Sequence, residues 1–294
     1  HGILLLDKPA GITSNGALQR VKRLFNAKKA GHTGSLDPIA TGMLPICFGE
    51  ATKFSQFLLD SDKSYRVVVK LGEQTTTGDR EGEVIATHPV TDVTAARIEQ
   101  VIQTFLGEIE QIPPMYSAIK HQGRPLYELA RKGIEIERKP RKVTIFSLKL
   151  EEFNQDHCVL VVHCSKGTYV RTLAEDIGRL LGCGAHVTEL RRLTVSPYGN
   201  AAMYTLPALE AILANVHFDG LSSSLLPVET SVQIFPAVKL SASAAFYLRT
   251  GQAVRATFPL DSALVRLVSE EGKFLGVGEV TPDGRVKPYR LIAA

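Results

Sequence analysis

The 294-residue chain reads as an α+β protein. Three observations predict this. Strand-like apolar runs are interspersed with segments whose apolar residues recur at helical spacing. A proline-bounded stretch, 113–142, departs from that rhythm into basic, loop-like sequence. The end of the chain is a short helix followed by four strand-like pieces, a unit of its own. The length suits two domains, placed at 1–230 (with the 113–142 segment as an insertion) and 231–294.

In chain order, a strand at 2–6 turns at Lys8–Ile12 into a helix opening at Ser14 or Asn15. There Ala17, Leu18, Val21, Leu24 and Phe25 make one buried face. Residues 31–45 read as a loop. Phe48–Leu59 reads as a short helix, and residues 82–86 as a strand. In the strand Tyr65–Leu71, alternation puts Tyr65, Val67 and Val69 opposite to Arg66, Val68 and Lys70. A helix at 94–106 is capped by Thr94 or Asp92 and stopped by Gly107. The 113–142 excursion carries a helix around Leu126–Lys132, and strands resume at 143–151 and 159–164. Thr168–Leu181 is a second amphipathic helix, ended by Gly182. Residues 219–236, with Asp-Gly-Leu-Ser-Ser-Ser, read as a linker. The final unit has a helix at 241–250 and strands at 253–257, 264–268, 273–280 and 285–292, with Asp283-Gly284 as a hairpin turn.

Composition narrows the function. Hydrophobic content of 44% and charge of 22% are ordinary for a soluble protein, and no apolar run is long enough to span a bilayer. The four cysteines form no Cys-x-x-Cys pair, so they read as buried free thiols of a reducing compartment rather than a zinc site. Net charge is only +4, yet residues 8–36 carry +6 and residues 113–142 carry +5, leaving the rest at −7. Charge concentrated in this way is the footprint of a polyanion ligand; two solvated helix faces are the alternative. Neither a phosphate-binding Gly-x-x-x-x-Gly-Lys loop nor a dinucleotide fingerprint is present.

The chemistry centres on Gly31-His-Thr-Gly-Ser-Leu-Asp37-Pro-Ile-Ala-Thr-Gly-Met-Leu-Pro45. It places one acid, Asp37, among three glycines and two prolines, and Pro38 biases Asp37 toward extended backbone. A single constrained carboxylate suits a nucleophile, whereas a retaining glycosidase needs a second one about 5 Å away. Arg171 falls at the start of the second helix, where a cation is unfavourable without a compensating anion. Asp37 would supply that anion; a bound phosphate is the competing explanation.

This pattern resembles the TruB family of transfer-RNA pseudouridine synthases, of the bacterial type with a C-terminal PUA-like domain. Gly34, Leu36, Asp37, Ala40, Thr41 and Gly42 fill the family's nucleophile motif. Leu6-Asp7-Lys8-Pro9-x-Gly11, Lys63-x-Tyr65-Arg66, Ser165-Lys166-Gly167-Thr168-Tyr169-Val170-Arg171 and Leu190-Arg191-Arg192 follow in the family's order. The resemblance implies the pseudouridine synthase fold: a mixed, largely antiparallel central sheet with flanking helices, an RNA-gripping insertion, and a small C-terminal β-barrel-like PUA domain. From the residues alone a generic small β domain reads nearly as well there.

The resemblance further implies isomerisation of the T-loop uridine of tRNA by Asp37 on a flipped-out base, at ribose C1′ or base C6, without guide RNA, cofactor or metal. Arg171 would hold Asp37 ionised, and Tyr65 would stack on the base and assist removal of the C5 proton. Tyr169 and Leu190 match positions lining the base pocket, His32 one that fills the space the base leaves, and Lys8 and Pro9 a segment beside the site. A core tyrosine at 65, a plain loop histidine at 32 and a structural Lys8-Pro9 are the alternatives. Lys120, Arg124, Arg131, Lys132, Arg141 and Lys142 are the candidates for the RNA backbone. The expected partner is the tRNA T-arm, with no membrane and no obligatory protein partner, and the expected protein is a cytoplasmic monomer. The alternatives are an RNA-binding module without catalysis and a guide-RNA-dependent relative.

Overall fold

A computed structural model describes residues 1–259 and 262–293. Strand β1 (Gly2–Lys8) leads to α1 (Ser14–Leu24), β2 (Ala30–His32), β3 (Thr41–Phe48), α2 (Ser55–Leu59) and β4 (Lys63–Leu71). Then come β5 (Glu73–Thr75), β6 (Val84–Thr87), α3 (Ala95–Gln103) and β7 (Gly107–Gln111). The basic excursion holds a small hairpin, β8 (Lys120–His121) and β9 (Arg124–Pro125), and α4 (Leu126–Ala130). It returns into β10 (Arg141–Asn154), β11 (His157–Cys164), α5 (Val170–Leu181), β12 (Ala185–Val195) and α6 (Leu206–Ser223). The final unit is β13 (Ala237–Leu240), α7 (Ala242–Arg249), β14 (Val254–Arg255), β15 (Leu264–Ser269), β16 (Phe274–Val280) and β17 (Arg285–Leu291).

The main sheet runs β1-β3-β12-β4-β11-β10-β7, with β2 beside β3. Every pairing is antiparallel except β12 with β3, which is the mixed, largely antiparallel sheet expected. Strand β4 shows why one face is core: Lys63, Tyr65, Val67, Val69 and Leu71 are buried while the residues between them are half-buried. Helix α5 covers that face with Leu173, Ala174, Ile177 and Leu181, and ends at Gly182 in the left-handed region, φ 85°. Thr13 and Thr94 cap α1 and α3 by accepting from Gly16 N and Arg97 N. A second, curled sheet of five strands, β13-β15-β16-β17-β14, forms the end of the chain. It packs on the main body through Phe54 against Phe274 (ring centroids 5.5 Å apart) and Phe57 against Phe235 (5.3 Å).

Several sequence expectations are corrected. The loop around Asp37 is shorter than 31–45, because Gly31 and His32 lie in β2 and Thr41–Pro45 in β3. Burial of Met43, Leu44, Ile46 and Cys47 between β1 and β12 outweighs the turn character of Gly42 and Pro45. The 48–59 helix is a 3₁₀ turn, Gly49–Phe54, followed by α2. The 219–236 linker is structured: α6 reaches Ser223, Leu221 and Val232 are fully buried, and Leu226 exchanges backbone hydrogen bonds with Ile3 at 2.8 and 2.9 Å. Its serines serve the backbone, as Ser224 Oγ donates to Leu221 O at 2.6 Å. Strands β7, β12 and β13 lie outside every strand range the sequence suggests, and the 253–257 strand is only Val254–Arg255.

All four cysteines are buried free thiols, with burial pushing the Cys47 and Cys158 thiols up to about 12. Among the described residues, no helix is long and apolar enough to cross a membrane.

Candidate functional site

The Asp37 loop is clamped from several sides. Ser14, the first residue of α1, donates through Oγ to Leu36 O (3.1 Å) and accepts from Leu36 N (2.7 Å). Gly11 N donates to Pro38 O at 2.8 Å, and buried Lys8 donates through Nζ to Pro9 O and Ile12 O, both at 2.8 Å. On the far side, Arg192 of β12 donates from Nε to Met43 O (2.6 Å) and from Nη2 to Gly34 O (3.1 Å). Gly42 lets β3 and β12 meet there: its φ is +99°, and a Cβ would lie 2.2 Å from Arg192 O. Only glycine fits that position.

So held, Asp37 extends its carboxylate to Arg171 Nε, Oδ2 to nitrogen 3.0 Å. Arg171 is second in α5 and almost fully buried, its Nη1 donating to Thr77 O (2.7 Å) and its Nη2 to Tyr116 O (2.6 Å). Thus the basic excursion, which contributes Tyr116, closes directly over the ion pair. A second carboxylate, Asp79, approaches Arg171 Nε at 3.7 Å. Its Oδ1 already accepts from Thr77 Oγ1 (2.6 Å) and Glu81 N (3.0 Å). Burial pushes the Asp37 carboxyl above its usual 3.8, Arg171 opposes that shift most strongly, and Asp79 adds to it.

Two cavities meet at Asp37. The first, of about 380 Å³, is lined by Asp37, Lys63, Tyr65, Tyr169, Arg171 and Leu190, with Arg192 and Ser117 also at its wall. The second, of about 420 Å³, lies on the other side, lined by Asn15, His32, Asp79, Glu81, Tyr127 and Arg131 among others. Tyr65 is 9% exposed on the core face of β4, yet its side chain borders the first cavity. It is at once a core tyrosine and a cavity residue. Burial raises its phenol above the ordinary value, and Arg192 opposes the rise. Burial lowers the His32 imidazole, with Arg192 adding to the effect, and its buried Nδ1 has no partner. Lys8 is brought down to about 8 by burial, against the pull of Asp37.

Of the residues singled out from sequence, Asp37, Tyr65, Tyr169, Arg171 and Leu190 converge on one cavity, and His32 on its neighbour. Lys8 holds the loop from beneath, while Pro9 is exposed and borders neither cavity. Lys120, Arg124, Arg131, Lys132, Arg141 and Lys142 are all exposed, and Lys142 pairs with Glu108 at 2.7 Å. Arg131 reaches the second cavity and lies over the Tyr127 ring, 5.5 Å from its centroid. Sequence reasoning gave no role to Asp79, Lys63 or Arg192. Asp79 hides in a polar turn, and only a strand assignment for 185–195 would have set Arg192 opposite Tyr65.

Comparison with known proteins follows the same outline. A family model described as "TruB family pseudouridylate synthase (N terminal domain)" matches residues 22–170. Two more, "tRNA pseudouridylate synthase B C-terminal domain" and "Pseudouridine synthase II TruB, C-terminal", match 171–233 and 236–292. A tRNA pseudouridine synthase B of Nitrosococcus oceani is 56% identical over 292 residues, 99% of this chain and 94% of that protein. That of Coxiella burnetii is 55% identical over 291 residues, with the same two coverages of 99% and 94%. The solved structure of a Cbf5-Nop10-Gar1 complex matches with TM-score 0.77 at 26% identity, over 99% of this chain and 84% of that one. An H/ACA RNP bound to a substrate RNA containing 2′-deoxyuridine gives 0.76 at 23% identity, over 100% and 85%. That last likeness is one of fold.

Proposed function

We propose that this chain, which belongs to the TruB family and is a tRNA pseudouridine synthase, isomerises the T-loop uridine with Asp37 as nucleophile. The observation that carries the reading is the ion pair of Asp37 with buried Arg171, 3.0 Å long, at the wall of a cavity that Tyr65 and Leu190 also line. The guanidinium opposes the rise that burial imposes on the carboxyl, which favours the charged form where a base would enter.

The reaction moves the glycosidic bond from N1 to C5 without net gain or loss of atoms. The base must first leave the RNA stack, at a cost of a few kcal/mol that phosphate contacts can offset. Asp37 then attacks ribose C1′ or base C6; both routes fit a single carboxylate facing one cavity. Tyr65, on the wall, would stack on the base and receive the C5 proton. The exposed lysines and arginines of the 113–142 excursion, of which Arg131 borders the second cavity, would grip the phosphate backbone. The residue boundary near 230 would divide this catalytic part from a PUA-like RNA-binding unit.

Action without further partners is favoured by the far higher identity to the tRNA pseudouridine synthases B (55–56% for the two above) than to the chains of the H/ACA RNP and the Cbf5-Nop10-Gar1 complex (23–26%). A T-arm stem-loop incubated with the protein alone should acquire pseudouridine at the T-loop uridine, read by chemical probing. Wild-type protein that binds the stem-loop and leaves it unchanged would overturn the reading. Asp37→Asn should keep binding and lose turnover; turnover retained would remove Asp37 from the role.

A further inference from the structure

Two buried basic side chains line the first cavity; Asp62 and Asp60 act on Lys63 only at a distance, and burial, with Arg192 adding to it, brings its ammonium down to about 8. Arg192 is 1% exposed and Lys63 is 6% exposed. Among the described residues no carboxylate lies within salt-bridge distance of either. Carbonyl oxygens hold them: Met43 O and Gly34 O for Arg192, and Leu58 O, Leu59 O and Ser61 O for Lys63. A buried charge without a counter-ion is expensive. It is retained where negative charge develops later.

The register says where. In the β12–β4 pairing Arg192 is directly opposite Tyr65, so the two side chains share one face as cross-strand neighbours. Lys63 is two residues before Tyr65 on that same buried face of β4. The other ionisable groups acting on the phenol are Cys164 from β11 and Asp37 across the cavity. Both disfavour a phenolate; Arg192 favours it.

We propose that Arg192, supported by Lys63, is the positioning residue of Tyr65: it stabilises the negative charge on the phenol oxygen through which the C5 proton is removed. This rests on the reading of Tyr65 as the acceptor of that proton. Once C5 is bonded to C1′ it carries both the sugar and its hydrogen. The phenolate takes the hydrogen as a proton and becomes a phenol. On the C1′ route the ester bond to Asp37 breaks as C5–C1′ forms; the C5–H electron pair then makes C5=C6 while the C6=N1 pair moves onto N1, which takes a proton from solvent. On the C6 route the same pair makes C5=C6 as the C6–O bond breaks and Asp37 leaves as carboxylate. The phenol's own proton has by then passed to solvent, so no oxidant, reductant or co-reactant is needed. Arg192 touches neither sugar nor base in this scheme; it acts on the tyrosine.

The experiment is a single-turnover pH–rate profile on a T-arm substrate for wild type, Arg192→Lys, Arg192→Gln and Lys63→Gln. Substrate binding is measured for each. Arg192→Gln should lose about 100-fold at neutral pH, the scale of removing one preorganised charge donor. That loss should shrink toward alkaline pH, because the phenol ionises later without its cation. Arg192→Lys should keep the wild-type profile shape. Lys63→Gln leaves the Met43 and Gly34 bonds intact and should shift the profile the same way by less, so it decides the matter if Arg192→Gln does not fold. A loss equal at every pH in both Gln variants would make the two cations mere loop staples and overturn the proposal. Tyr65→Phe separates the two layers. Full turnover in Tyr65→Phe would sink the role of the tyrosine itself, whereas loss there with unmoved Gln profiles would sink only Arg192.

Discussion

Replacing Arg171 by methionine keeps the stem packed in α5 and removes the charge that faces Asp37. The structure sets the magnitude. Besides the bonds to Thr77 O and Tyr116 O, which fasten the guanidinium, the contact that bears on the charge of Asp37 is lost: a charge-assisted hydrogen bond of 3.0 Å to a carboxylate 41% exposed. Such bonds contribute about 1.5–3 kcal/mol when buried, and partial exposure places this one near the lower end, about 2 kcal/mol. That converts to roughly a 30-fold loss of turnover. The sign in pH follows from the causes acting on Asp37. Its carboxyl already sits above 3.8 through burial, with Arg171 the chief opposing influence. Without the guanidinium it climbs further, a smaller fraction is ionised at a given pH, and the acid limb of the rate moves to higher pH. Because the C5 hydrogen leaves for solvent, release of tritium from C5-labelled uridine in a T-arm transcript reports the step directly. An Arg171→Met profile that overlays the wild type after simple scaling would refute the claim that Arg171 governs the charge on Asp37. Arg171→Lys should fall between, since one ammonium cannot serve Asp37, Thr77 O and Tyr116 O in three directions as the guanidinium does.

Three shorter expectations accompany it. A raised carboxyl in the fold binds its proton more tightly than the unfolded chain does, so ionised Asp37 opposes folding as pH rises above 3.8; Asp37→Asn should therefore melt no lower than wild type near neutral pH, and a clear drop in the circular-dichroism midpoint would contradict this. Gly42→Ala adds a Cβ 2.2 Å from Arg192 O at φ +99°, and should cost at least about 2 kcal/mol in urea denaturation. Each phosphate contact contributes a slope of roughly 0.7–0.9 to the salt dependence of affinity, so the double variant Lys120→Ala/Arg124→Ala should flatten that dependence measurably. Lys142→Ala, whose lysine is already paired with Glu108, should flatten it less.

How much was legible depends on what each residue's neighbours in sequence reveal. Asp37 stood out because its own segment isolates it. Arg171 stood out because a cation at a helix start asks for an anion, and the anion is there at 3.0 Å. Tyr65 fell on the core face of its strand by simple alternation, and the fold keeps it there. The misses have a common cause. Strand β12 carries Glu189, Arg191 and Arg192 in its interior, which reads as loop or surface. Its two arginines instead reach across the sheet, Arg191 to Asp7 in a two-pronged contact (2.8 and 2.9 Å) and Arg192 to backbone carbonyls that carry no counter-charge. Such partners, 149 to 184 residues away in the chain, leave no local trace. The serine-rich stretch at the end of α6 misled for the converse reason. Small polar residues that suggest a flexible linker are also those that fill the hydrogen bonds of a tightly buried helix end.

The placement of the cations bears on the choice between attack at C1′ and attack at C6. Before reaction the negative charge is on Asp37, beside Arg171. Attack at C1′ expels the base as an anion; attack at C6 pushes charge to C5 and the neighbouring carbonyl. In both cases Asp37 becomes an uncharged ester and the charge crosses to the base, while Arg171 keeps Asp79 at 3.7 Å as a remaining counter-charge. Lys63 and Arg192 line the same cavity, with no carboxylate in ion-pair range of either among the described residues. In the scheme above Arg192 acts on Tyr65, which takes the C5 proton after either attack, so its part is common to both routes. It follows that charge-removing substitutions at Arg192 should slow turnover without changing which route is taken, so trapping experiments with a substrate analogue should return the same adduct from Arg192→Gln as from wild type. A different adduct would mean that Arg192 selects the site of attack rather than serving both.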